Sequence, residues 1–154
     1  MSTSAVADTP VAAPDRGRTL VEVGVCAALA IAPYLWRVLA GTRRLPNDDN
    51  WAYWRIFQTF EETGRIVLID WNDINLGGML PLTRVWTAVV GNGPLQVHLL
   101  GSVMAFVVLL STWSLLRSLS SPVVLVAIAS VCLFPGFVVT AGTYMADQFA
   151  VAGA

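Results

Sequence analysis

The residues of this chain best suited to chemistry are the adjacent carboxylates Asp48-Asp49, the isolated Asp147, and an acid–amide cluster at Asp70, Asn72, Asp73 and Asn75. Neighbouring carboxylates repel, which raises one pKa or recruits a cation. The pair suits a general base or a divalent-metal contact; a solvated helix N-cap is the plainer alternative. Asp147 stands in Tyr144-Met145-Ala146-Asp147-Gln148-Phe149, between two apolar stretches. An acid at membrane depth is expensive and usually faces a cavity, whereas one at the aqueous boundary would cap the next helix. The cluster at 70–75 fails as a calcium loop. Ile74 stands where a loop opening at Asp70 needs an oxygen ligand, and Arg84 where one opening at Asp73 needs glutamate. His98, at the start of an apolar run, reads as a helix-end or interfacial residue rather than a ligand. Neither a phosphate-cradling G-x-x-x-x-G-K-[ST] nor a G-x-S-x-G occurs.

The setting for these groups is apolar. Of 154 residues 56% are hydrophobic and 12% charged, with a mean hydropathy of +0.67. Soluble domains run nearer 45–50% apolar and about 25% charged. The net charge is -1, and all nine basic residues are scattered arginines, with Arg43-Arg44 the only adjacent pair. No basic stripe exists to track phosphates, which excludes nucleic acid as a partner. Cys26 and Cys132 both lie in apolar runs, so neither a disulfide framework nor a zinc site is expected. The composition predicts a multi-pass protein of the cell membrane, with membrane lipid as its surroundings.

Residues 1–18, rich in Ala, Ser, Thr and Pro, read as a disordered tail. The apolar run 19–40 is long enough to cross a hydrocarbon core of roughly 30 Å. Glu22 and Arg37 lie near its ends, where side chains can snorkel to the headgroups. A signal peptide is the competing reading, but its apolar region spans only about 7–15 residues and Trp36-Arg37 occupies the place of a small-residue cleavage site, so an uncleaved first helix is expected. A second span is predicted over 97–116 and, after a short polar turn, a third over 122–139, interrupted by Pro135-Gly136. Residues 140–154 read as a second loop and the start of a fourth helix, and the chain as an N-terminal fragment. The expected fold is all-α: a polytopic helical membrane protein with three transmembrane helices, the start of a fourth, and a partly helical first extracytoplasmic loop over 41–96.

That loop holds five of the arginines and six of the ten acids. Its first part predicts a helix entered through Asp48, Asp49 or Asn50 and stopped at Gly64. At 100° per residue, Trp51, Tyr53, Trp54, Ile56, Phe57 and Phe60 share one broad face, with Arg55, Gln58, Thr59 and Glu62 opposite. Such a helix either lies in a membrane interface or packs against the rest of the protein. Residues 65–82 read as a short β-like run and a glycine-rich turn. Residues 82–90 read as helix, ended by Gly91-Asn92-Gly93-Pro94.

Pro46-Asn47-Asp48-Asp49-Asn50-Trp51-Ala52-Tyr53-Trp54, following a first apolar helix, resembles the first-loop acidic motif of the GT-C membrane glycosyltransferases. The likeness is to bacterial family 39-like members, relatives of the protein mannosyltransferases. It continues through Thr63-Gly64-Arg65, Asp70-Trp71, Gly91 and Phe134-Pro135-Gly136. It ends at Tyr144-Met145-Ala146-Asp147, which resembles the family's Phe-Met-Thr-Asp motif with alanine in place of threonine. The resemblance implies an enzyme that takes a sugar from a polyprenyl-phosphate carrier outside the cytoplasm. Asp49 or Asp48 would act near the acceptor hydroxyl, as base or metal contact, with Asp147 as a further site residue. It also implies more helices than this chain has, and no activity for the isolated 154 residues. The rival class is a small non-enzymatic assembly or interaction subunit whose amphipathic loop binds a partner.

Counted by arginines, the long loop would lie on the cytoplasmic side; the resemblance places it outside, and that orientation is adopted. A cysteine placed at Asn75 should then react with an impermeant reagent from the outer face, and one at Ser120 should not. Labelling at Ser120 alone would invert the topology.

Overall fold

The computed structural model describes residues 15–41, 48–68 and 76–144, with the side chains of residues 48, 49, 138 and 139 left out of the description. The described residues form six helices and no strand: α1 (Arg16–Leu39), α2 (Asp48–Thr63), α3 (Met79–Val90), α4 (Pro94–Leu116), α5 (Ser121–Leu133) and α6 (Pro135–Thr140). The all-α class is therefore observed. Two helices, α1 and α4, at 24 and 23 residues, are long and apolar enough to cross a bilayer.

Local chemistry explains most boundaries. Asp15 caps α1 by accepting from the Gly17 amide at 3.3 Å, so the last three residues of the expected tail are helical instead. Gly64, at φ +68, ends α2 with its N–H bonded to the Phe60 carbonyl. Pro94 opens α4 in the first turn, where a missing amide hydrogen is harmless.

Two expectations are corrected. The predicted third span over 122–139 is not one helix. Pro135 has no amide hydrogen and pushes the residue before it out of the helical region, and Phe134 is accordingly extended at ψ 125°. The 13 residues of α5 reach only about 20 Å at 1.5 Å per residue, short of a bilayer core. The β-like run is not a strand at 65–68, where the Arg65 N–H donates back to Thr63 Oγ1 at 3.2 Å, and α3 begins at Met79. An isolated apolar run has no neighbour to satisfy its backbone as a strand.

Helices α1 and α4 pack antiparallel. Arg18 donates to the Leu119 carbonyl, Glu22 meets Trp113, Cys26 meets the Leu109 carbonyl, and Pro33 and Tyr34 lie across from Ser102. As one number rises the other falls by about the same amount, which is the signature of opposed helices. Small and medium side chains fill the seam, with Cys26, Ala30, Ala105 and Leu109 all buried together with Val124 and Ile128 of α5.

Glu22 departs from the expected snorkelling. It is only 2% exposed and accepts from Arg18 Nε at 2.8 Å, Trp113 Nε1 at 2.9 Å and Ser121 Oγ at 2.6 Å. One carboxylate thus joins α1, α4 and the first turn of α5. Burying a charge is tolerated when it is paired and hydrogen-bonded throughout.

Beyond α6 the chain passes between α1 and α4. Ala141, Thr143 and Tyr144 are buried. A Cβ at Gly101 would lie 2.0 Å from the Thr143 carbonyl oxygen, so only glycine in α4 admits this crossing. Gly142 supplies the second allowance, at φ +68 against Pro33 and Ser102. Replacing Glu22 by alanine strands the Trp113 indole N–H and removes the acceptor of Arg18 Nε. It should destabilise the fold by about 1–3 kcal/mol, the usual penalty for an unpaired buried donor. The check is a lower melting temperature in detergent; an unchanged one would show that the carboxylate holds nothing together.

Candidate functional site

Helix α2 forms from a run with a carboxylate pair at its start and aromatic residues at helical spacing, and that pattern decides which way it faces. Tyr53, Ile56 and Phe57 are buried against Leu76, Met79, Leu80, Val97, Leu100 and Tyr144. The aromatic face is therefore taken up by the protein itself rather than by a membrane surface. Trp51 stays half exposed with the Arg55 guanidinium 5.3 Å above its ring. Trp54 meets the Tyr144 ring edge-on at 6.4 Å, a favoured aromatic geometry.

Asp48 and Asp49 occupy the first turn of α2. Asn50, next in the chain, is fully buried, and its Oδ1 accepts from the Tyr144 backbone N–H at 2.7 Å. The Tyr144 hydroxyl in turn donates to Thr83 Oγ1 at 2.9 Å, and Thr83 donates to the Met79 carbonyl at 2.8 Å. Burial pushes the Tyr144 phenol well above its usual range, only partly offset by the Thr83 hydrogen bond. It remains a neutral donor at physiological pH. The Asn50 Nδ2 atom, also buried, has no hydrogen-bond partner among the described residues.

The structure thus bonds Asn50, in the first turn of α2, to Tyr144, the first residue of the second motif, across 94 residues. Asp147 itself and the 70–75 cluster lie outside the described residues. His98 is not interfacial. It is fully buried in the second turn of α4. Among the described residues no three side chains of the kinds that hold a divalent ion converge.

Sequence reasoning offers Asn50 only as a helix-entry residue, whereas it lies inside α2, and it passes over Thr83. A signal for Asn50 was present, since residues 50, 53, 54 and 57 lie on one helical stripe and an amide among aromatics there must be buried. Thr83 carries none, being one hydroxyl in an otherwise apolar helix.

Asn50→Ala leaves the buried Tyr144 amide hydrogen unpaired and should destabilise by about 1–3 kcal/mol. Tyr144→Phe removes one neutral hydrogen bond and should destabilise by only about 0.5–1.5 kcal/mol. Thermal unfolding in detergent checks the order, and an Asn50→Ala protein as stable as the parent would show that this anchor contributes nothing.

No protein-family model, curated protein or solved structure matches this chain.

Proposed function

We propose that this chain is the acceptor-side, N-terminal part of a multi-pass membrane glycosyltransferase that moves a sugar from a polyprenyl-phosphate carrier to an acceptor outside the cytoplasm. The carrying observation is the hydrogen bond from the Tyr144 amide to Asn50. It joins the two motifs whose likeness to the GT-C enzymes is the origin of the reading. Chain reach adds to it. Asp49 is covalently next to Asn50, and the Asp147 Cα lies within roughly 11 Å of the Tyr144 Cα because an extended chain spans at most about 3.6 Å per residue. In this reading the acids share one neighbourhood.

In this reading Asp49, or Asp48 beside it, takes the proton of the acceptor hydroxyl as that oxygen attacks the anomeric carbon and the carrier phosphate leaves. Asn50 keeps the carboxylates in place by holding the first turn of α2 on Tyr144. Asp147 positions the acceptor or shapes the first loop. Further spans of the multi-pass enzyme belong to this proposal too: they would follow Tyr144, with α5 and α6 carrying the chain from the Glu22 end of the bundle back to the outer end.

The experiment is sugar transfer from a synthetic polyprenyl-phosphate donor, in membranes expressing the chain with any continuation of its reading frame. General-base help is typically worth about 10²–10⁴-fold, so Asp49→Asn should lower turnover on that order while insertion is unchanged. Normal turnover in Asp48→Asn, Asp49→Asn and Asp147→Asn alike would remove the chemical basis of the assignment.

A further inference from the structure

Helix α3 is apolar around its whole circumference but covered by protein on one side only. Met79, Leu80, Thr83 and Thr87 face the core shared with α2 and α4. The opposite half carries Pro81, Leu82, Val85, Ala88 and Val89, and Arg84 is the single charge of the helix. Val89 is 82% exposed, Val85 65% and Leu82 40%, a stripe at i, i+3 and i+7. Contiguous apolar surface of this kind marks a binding face. Its neighbour α2 is the reverse, hiding Ala52, Tyr53, Ile56 and Phe57 and exposing Arg55, Gln58, Glu61 and Glu62.

The position of α3 says what covers the stripe. Only Gly91–Gly93 separate it from α4, and the Trp86 indole N–H donates to the Gln96 carbonyl in the first turn of that helix at 2.8 Å. So α3 cannot leave the level at which the long apolar helix α4 begins. The antiparallel packing puts the C-terminal end of α1 at the same level, and there Leu35, Trp36 and Leu39 are exposed as well. The stripe on α3 therefore continues an apolar belt around one end of the bundle, with a tryptophan in it, as at membrane boundaries.

We propose that α3 is seated in the boundary layer of the bilayer, with Leu82, Val85 and Val89 turned into the acyl chains and Arg84 at the phosphate level, while α2 faces water. An interfacial helix of this kind buries its apolar face some 5–10 Å into the lipid. The bilayer location proposed above is presupposed; the sugar chemistry is not.

The test is collision accessibility of nitroxide labels in phospholipid vesicles, with Cys26 and Cys132 replaced by alanine. Labels at Val85 and Val89 should collide with oxygen, which concentrates in lipid, and be shielded from an aqueous nickel chelate. A label at Glu62 should show the opposite. One at Leu29, exposed in the middle of α1, should be lipid-facing and serves as the check on the bilayer location itself. If Leu29 behaves as lipid-facing while Val85 and Val89 collide with nickel as freely as Glu62, α3 lies in water and the proposal fails alone. Shielding of Val85 and Val89 from both reagents would mean that protein covers the stripe, which also overturns it. Nickel access at Leu29 would overturn the bilayer location and this proposal together.

Discussion

The buried carboxylate of Glu22 sets the register on which the rest of the fold depends. By accepting from Arg18, Trp113 and Ser121 at once, it fixes how far α1 slides along α4 and where α5 starts. An apolar seam of alanine, cysteine and leucine discriminates poorly between neighbouring registers, because each slide exchanges one methyl contact for another. A charge that must find three donors in a low-dielectric surrounding has one satisfactory position. With that position set, Pro33 and Tyr34 come opposite Ser102 and Gly142, and Gly101 comes under Thr143. The crossing segment then reaches α2, and Tyr144 presents its amide to Asn50.

What could be read from residues alone follows from the range of the interactions. Helix ends were legible where the signal is local: Gly64 after the aromatic helix and the Gly91–Pro94 turn both act within a few residues. The all-helical class was legible from hydrophobic periodicity. The break in the third span was visible as Pro135 but given too little weight, since proline is tolerated only when neighbours satisfy the backbone it frees. The side of α2 that meets protein could not be decided, because an aromatic face fits lipid and core equally well. Its resolution came from Leu76, Met79 and Leu80, whose helix the sequence reading began three residues late.

The candidate site divides in the same way. That Asp48 and Asp49 open a helix is a property of their own neighbourhood and was readable. That Asn50 is the piece fastening this helix start to Tyr144 was not, because a pair separated by 94 residues leaves no pattern in either segment. Glu22 was misread for a related reason. A carboxylate near the end of an apolar run suggests escape toward water, and only the arrival of Trp113 and Ser121 makes staying inside favourable.

The passage of residues 141–144 between α1 and α4 has a consequence for the order of assembly. The close approach at Gly101 needs α4 already formed, and the contact of Gly142 with Pro33 needs α1 already beside it. The two long helices and their Glu22 junction must therefore come together before the crossing segment can be seated. Until then the Tyr144 amide is not available to Asn50, and the first turn of α2 has no anchor. Contacts this distant along the chain form late, since the loop entropy must be overcome first. During synthesis the start of α2 is thus anchored last, by a segment made long after it, so a chain stalled before residue 144 would carry Asn50 without its partner.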